Sequence, residues 1–283
     1  MNAVKTVSEI RTILLAEKTL GKSIGFVPTM GALHEGHLSL VRASKSKCDR
    51  TAVSIFVNPT QFAPTEDLDK YPRSIEQDIS LLESEGVDIL FLPSKEEMYP
   101  EGATTFINVE EISKGFEGAI RPTHFRGVAT VVGSLFNIVQ PDRAFFGQKD
   151  LQQVAVIKRM VRDLHFPVTI EVCETVREAD GLAMSSRNRY LLPEERAEAL
   201  ILSKTLFSLR ESLVEGIEIE AAKDDSIKLF NSLKKKALLE YLDIISPETF
   251  QSAKSFNGTE EVAIVIAAQI GATRLIDNVL LKR

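Results

Sequence analysis

The sequence predicts an open, doubly wound parallel α/β sheet followed by a smaller α+β domain, within 283 residues. Three observations carry that prediction. Short apolar runs alternate with amphipathic helical patterns as far as Cys173, as in a parallel sheet covered by helices on both faces. One junction, Gly25 to His37, passes from an apolar run through a Pro/Gly turn into a helix start, the place where such sheets bind ligands. After Pro193 the alternation gives way to long charged helices and then to apolar strands.

Strands are expected at Ser23–Val27, Arg50–Val57, Asp88–Leu92, Arg143–Phe146 and Val168–Cys173. Helices are expected between them at Glu35–Lys47, Ile75–Glu85, Gly127–Val139 and Asp150–Leu164. Thr6-Val7-Ser8-Glu9 reads as a capping box that opens a helix, and Ser74 with Gln77 as another. His165, at the end of a charged helix beside Phe166-Pro167, reads as a C-terminal cap. Beyond Pro193, Glu194–Glu215 and Glu218–Leu239 read as amphipathic helices. Tyr241–Ile245, Val262–Gln269 and Thr273–Leu280 read as strands, the last two joined by the turn Ile270-Gly271-Ala272. The expected boundary lies near Arg177–Arg187, giving domains 1–177 and 178–283 with a hinge at about 177–187.

Composition narrows the class. Apolar residues make up 44% and charged residues 26%, enough to bury a core, and no apolar run approaches membrane-spanning length. The net charge of −6 offers no global attraction to nucleic acid or acidic membranes, so neither is an expected partner. Two cysteines, Cys48 and Cys173, are too few for a disulfide framework or a four-cysteine zinc site. Met1 is followed by polar, helix-prone residues, so a cytoplasmic protein of a reducing compartment is expected.

Four clusters carry chemistry. In Met30-Gly31-Ala32-Leu33-His34-Glu35-Gly36-His37 two histidines three apart share a face of an opening helix, whose N-terminus attracts anions. Gly36 between them admits a flat group such as a purine. The spacing is not that of the zinc-protease helix, which needs His-Glu-x-x-His. Two solvated histidines at a helix start are the plainer alternative. Asn58-Pro59-Thr60-Gln61 ends the second strand with amides suited to hydroxyl and carboxylate groups, or simply makes a turn. Gly147-Gln148-Lys149-Asp150 ends the fourth strand and sets an ammonium where a phosphate lies, with Gln153 one turn further on. It is not a P-loop. Finally, Met184-Ser185-Ser186-Arg187-Asn188-Arg189 offers two hydroxyls and two guanidiniums to a polyphosphate, or else forms a polar hinge. Pro122-Thr123-His124-Phe125-Arg126-Gly127 reads as a surface loop ahead of an apolar helix.

In this order these motifs, with Tyr71-Pro72-Arg73, resemble those of the pantothenate synthetases, and the likeness runs the length of the chain. The His-x-Gly-His element alone is similar to that of the wider nucleotidylyltransferase superfamily, including class I aminoacyl-tRNA synthetases. Met184-Ser185-Ser186-Arg187 resembles their Lys-Met-Ser-Lys-Ser loop. The resemblance implies a Rossmann-like fold and a homodimer. It also implies Mg²⁺-dependent condensation of pantoate with β-alanine, by way of pantoyl adenylate, with ATP leaving as AMP and pyrophosphate. It assigns ATP to Met30, Gly31, Ala32, Leu33, His34, Glu35, Gly36 and His37, to Gly147, Gln148, Lys149 and Asp150, to Val176 for the adenine, and to Met184, Ser185, Ser186 and Arg187. His37, His34 and Lys149 are the implied catalytic groups, while Gln61, Gln153 and Asn58 are implied for pantoate and β-alanine. Thr60 and Thr123 depart from common family residues. The acidic Mg²⁺ region falls at Gln77-Asp78, so Asp78 is the implied metal ligand with only one of two adjacent carboxylates present. Another adenylyl- or cytidylyltransferase, or a nucleotide-binding regulator without turnover, is the alternative.

Overall fold

The computed structural model describes residues 1–63, 68, 71, 72 and 74–282. Arg73 of the Tyr-Pro-Arg motif lies outside them. The described chain clusters into two compact units. The first holds Met1–Gly147 and Val156–Glu174, and the second Gln148–Ala155 and Thr175 onward.

The first unit contains β1 (Asn2–Val4), α1 (Val7–Thr19), β2 (Ile24–Thr29), α2 (Glu35–Lys47), β3 (Arg50–Ile55), α3 (Ile75–Ser84) and β4 (Ile89–Phe91). There follow α4 (Lys95–Met98), α5 (Glu117–Ile120), α6 (His124–Val139), β5 (Arg143–Gly147), α7 (Leu151–Asp163) and β6 (Thr169–Cys173), with the start of α7 belonging to the second unit. The sheet order is β1-β4-β3-β2-β5-β6, with every pair parallel. The expected doubly wound sheet is therefore present, and its order reverses between β2 and β5, the place where such sheets bind ligands. Phe26, Val27, Val53, Leu90 and Phe145 are fully buried in it, which is why these strands read as near-continuous apolar runs.

Pro28 sits inside β2 without disturbing the ladder. Ser23, Thr29 and the odd positions between them face β3, whereas the carbonyl of Ile24 meets the N–H of Asp142 ahead of β5. The even position 28 therefore faces β5, whose pairing with β2 ends at Phe26, as a residue without an N–H requires, while the pairing with β3 runs on to Thr29.

Several expected boundaries shift. β1, a three-residue edge strand paired with β4, was not expected. α6 opens at His124, so His124–Gly127 is the first turn of a helix and not a loop, with His124, Phe125 and Gly127 buried while Pro122, Thr123 and Arg126 stay exposed. The Thr6–Glu9 capping box forms, but Ser74 makes no cap bond to the backbone of α3 and turns its hydroxyl to Asp78 at 3.4 Å. His165 takes a left-handed conformation (φ 54°) just past α7, as a helix-ending residue does.

The second unit carries α8 (Pro193–Glu198), α9 (Leu200–Val214), α10 (Ile219–Leu233), β7 (Leu238–Ile245), β8 (Val262–Ile270) and β9 (Thr273–Leu281). The three strands form an antiparallel sheet in the order β7-β8-β9. Leu206, Leu209, Phe230, Ile264 and Ile266 fill the core between its helices and its sheet. The helix expected to run to Leu239 stops at Leu233. Glu198 accepts from the N–H groups of Lys235, Lys236 and Ala237 at 2.6–2.8 Å, an alternative to continuing the helix. The helix expected over Glu194–Glu215 divides at Ala199, beside the same glutamate.

Candidate active site

The chain leaves β2 through a tight turn held mainly by one carboxylate. Gly31 (φ 80°) and then Ala32 (φ 51°) adopt left-handed conformations, which for alanine is strained unless its surroundings compel it. Asp78, from α3, supplies the compulsion. Its two oxygens accept from the N–H groups of Ala32 and Leu33, each at 2.8 Å, and the residue is 1% exposed. That geometry corrects the metal-ligand expectation, because both oxygens are turned to backbone. Among the described residues no three His, Cys, Asp or Glu side chains gather as a metal cage. An Mg²⁺ ion carried by nucleotide oxygens and water, as this ion often is, is compatible with that arrangement.

α2 then opens on a cap made of both histidines. The Nδ1 of His34 accepts from the N–H of Gly36 at 3.2 Å, and the Nδ1 of His37 accepts from the N–H of His34 at 3.3 Å. The rings lie 4.2 Å apart, tilted by 44°, on the single face that their spacing predicts. An imidazole that accepts at Nδ1 carries its hydrogen at Nε2 when neutral. In the neutral form both histidines thus carry their hydrogen at Nε2, beside the positive end of the helix.

Past β3, Asn58 organises Gln61. Asn58 is 1% exposed; its Nδ2 donates to Gln61 Oε1 and to the Gly127 carbonyl, both at 3.1 Å, and its Oδ1 accepts from the Tyr99 hydroxyl at 2.8 Å. Its amide is committed within the protein, so it holds Gln61 and is not placed to meet a ligand directly. Gln61 Nε2 lies 3.1 Å from Met30 Sδ, which joins this loop to the turn after β2. Gly127 lets α6 touch the backbone here, since a Cβ would collide with the Thr60 carbonyl. His124 Nδ1 reaches the Gln61 carbonyl at 2.9 Å. Tyr99 and Gly127 had no signal as individual residues; their part is visible only once these segments meet.

The other expected residues lie in the second unit, apart from Gly147, which ends β5. The Gln148–Asp150 turn precedes α7; Lys149 is mostly buried, its Nζ 3.5 Å from Asp150 Oδ1. Gln153, half-buried on α7, follows one turn later. Val176 and Met184 are brought together: the Met184 N–H donates to the Val176 carbonyl at 3.0 Å, next to an antiparallel bridge between Arg177 and Ala183. Ser185 caps a short 3₁₀ turn, Ser186–Tyr190, by accepting from the Arg187 N–H at 3.3 Å. This stretch is more than a polar hinge. Leu182 and Ala183 are buried, and Arg196 grips Glu178 at 2.7 Å and Asp180 at 2.8 Å. Arg177, expected only as a domain boundary, forms with Asp277 and Asn278, which carried no expectation, a largely buried cluster beside it. Their signal was an Asp-Asn pair inside the apolar run of β9.

The chain matches the family model for pantoate-β-alanine ligase over residues 2–280. It belongs to that family. It is therefore a ligase, and its sheet is the Rossmann-like one that the resemblance implied. The pantothenate synthetase of Acetivibrio thermocellus is 50% identical over 283 residues, covering 100% of both chains. The crystal structure of pantothenate synthetase from Thermus thermophilus matches with a TM-score of 0.93 and 45% identity over 99% of each chain. Pantoate-β-alanine ligase from Francisella tularensis, complexed with beta-gamma ATP and β-alanine, matches with a TM-score of 0.81 and 37% identity over 99% of this chain and 97% of that one.

Proposed function

We propose that the chain condenses pantoate with β-alanine, converting ATP to AMP and pyrophosphate through pantoyl adenylate. The observation that carries this reading is the paired-histidine cap on α2, which sets both rings on one face at a helix N-terminus. Such an array suits a phosphorus centre that gains negative charge during transfer.

In the first step a pantoate carboxylate oxygen attacks the α-phosphorus of ATP. An O–P bond forms, the bond to the β-phosphate bridging oxygen breaks, and pyrophosphate leaves. His34 and His37 donate to phosphate oxygens. The backbone of Met30, Gly31, Ala32, Leu33, Glu35 and Gly36, held by Asp78, lines the nucleotide. Gln61, steadied by Asn58, hydrogen-bonds pantoate and reaches β-alanine, with Gln153 assigned to pantoate as well. Lys149 stabilises charge on the triphosphate, beside Gly147, Gln148 and Asp150. Val176 is assigned to the adenine, and Met184, bonded to it through the backbone, is assigned with Ser185, Ser186 and Arg187 to the triphosphate. An Mg²⁺ ion bound with ATP would supply neutralisation of phosphate charge. In the second step the β-alanine amine attacks the acyl carbon. A C–N bond forms, the C–O bond to AMP breaks, and the amine loses a proton.

Adenylyl transfer of this kind is catalysed mainly by positioning and by donors on the non-transferring oxygens, which these residues supply. A homodimer in the cytoplasm completes the reading. No helix among the described residues is long and apolar enough to cross a membrane. The test is pyrophosphate release from ATP, Mg²⁺ and pantoate, with AMP and pantothenate followed on adding β-alanine. Pyrophosphate formation indifferent to pantoate overturns the assignment.

A further inference from the structure

Asp277 and Asn278 stand side by side in β9, each 3% exposed, between Ile276 and Val279. Burying an aspartate is unfavourable unless its partners are good, and such pairs are weak evidence of stability. What this pair holds is therefore informative. Arg177 meets Asp277 with two parallel bonds of 2.7 and 2.9 Å, and donates further to the carbonyls of Gly181 at 3.0 Å and Asn278 at 3.2 Å. The side-chain amide of Asn278 donates to the carbonyls of Gln148 at 3.0 Å and Lys149 at 2.8 Å, and its oxygen accepts from the Gln148 amide at 3.1 Å. Few of these bonds serve the sheet itself. They run to two separate stretches, Gln148–Lys149 and the turn at Gly181, and both stretches adjoin residues assigned above to ATP.

We propose that Arg177, Asp277 and Asn278 are positioning residues that hold the Gln148–Lys149 turn and the Gly181–Met184 stretch in one fixed arrangement for the nucleotide. Two consecutive carbonyls on one amide immobilise the peptide that bears Lys149, so only its side-chain torsions remain to be ordered when ATP binds. The inference rests on the ATP assignment of the preceding section.

Asn278→Asp keeps the shape but removes both N–H donors, and Asp277→Asn weakens the grip on Arg177. At saturating pantoate, kcat/KM for ATP falls at least 30-fold in Asn278→Asp and about 10-fold in Asp277→Asn. KM for β-alanine stays within twofold. Amide exchange speeds up at 148–150 and 181–184 in both. Asn278→Ser, which keeps one donor, recovers part of the loss and serves if Asn278→Asp does not fold. Folded variants with wild-type kcat/KM for ATP overturn the proposal, even if their melting temperature is lower, because the cluster is then structural only. A wild-type enzyme without pantoate-dependent pyrophosphate release instead removes the functional reading. Calorimetric ATP binding by the same variants then tests the cluster alone.

Discussion

Replacing Asp78 by Asn separates two tasks for one carboxylate. The side chain keeps its shape and one acceptor, loses one charge-assisted bond to the backbone of Ala32 or Leu33, and turns an amide N–H toward a backbone N–H. Bonds to charged acceptors contribute about 1.5–3 kcal/mol each, so a loss of about 2 kcal/mol is expected. At roughly 2–4 °C per kcal/mol for a domain of this size, the melting temperature falls by about 4–8 °C. Because Ala32 is held in a left-handed conformation, the turn relaxes and the KM for ATP rises. The half-saturating concentration of Mg²⁺, measured by pyrophosphate release at saturating ATP, stays within about twofold, since neither oxygen is turned to an ion. An unchanged melting temperature with a tenfold higher Mg²⁺ requirement refutes this reasoning and restores Asp78 as a ligand.

His37→Ala and Lys149→Ala lower kcat by roughly 10²–10³ while changing equilibrium ATP binding far less, because both are assigned to charge that develops in the transition state; calorimetry beside steady-state rates checks this. Arg187→Ala weakens ATP affinity and slows pyrophosphate release, yet leaves the melting curve in place, since Leu182, Ala183 and Arg196 anchor that stretch without it. The Lys47 ammonium at 2.6 Å holds the Glu171 carboxyl below its ordinary value of 4.5, with Arg143 assisting. Its contribution to stability is therefore present above about pH 4.5 and is lost as the pH falls through the depressed value. The melting temperature of Glu171→Gln accordingly declines less than that of wild type between pH 5 and 3, by scanning calorimetry.

What the sequence revealed followed the reach of local rules. β2, β3 and β5 were legible because burial on both faces demands unbroken apolar runs, and His34 and His37 because a three-residue spacing on a helix is a local fact. β1 escaped because three residues at a sheet edge carry no period. α10 was drawn too long because its end is decided by Glu198, far away in sequence. The tasks of Asp78 and Asn58 were misread for a related reason. A carboxylate in the first turn of a helix or an amide past a strand tip suits an ion, a substrate or a backbone N–H equally well, and only the arrival of Ala32, Gln61 and Gly127 decides where their hydrogen bonds go. Asp277 and Asn278 were visible as an anomaly in an apolar strand, but their partners lie a hundred residues or more away.

The twin-imidazole cap binds the first turn of α2 to the proton balance of the solution. An imidazolium has a hydrogen on both nitrogens and nothing with which to accept. Each histidine that gains a second proton thus expels the N–H it was holding, that of Gly36 or of His34 itself, and adds positive charge to the end of the helix that tolerates it least. A second proton on either ring therefore loosens the helix start at the same moment that it changes the groups assigned to the phosphates. In reverse, an anion seated against both Nε2 atoms repays part of that penalty, so occupancy of the site and intactness of the first turn rise and fall together.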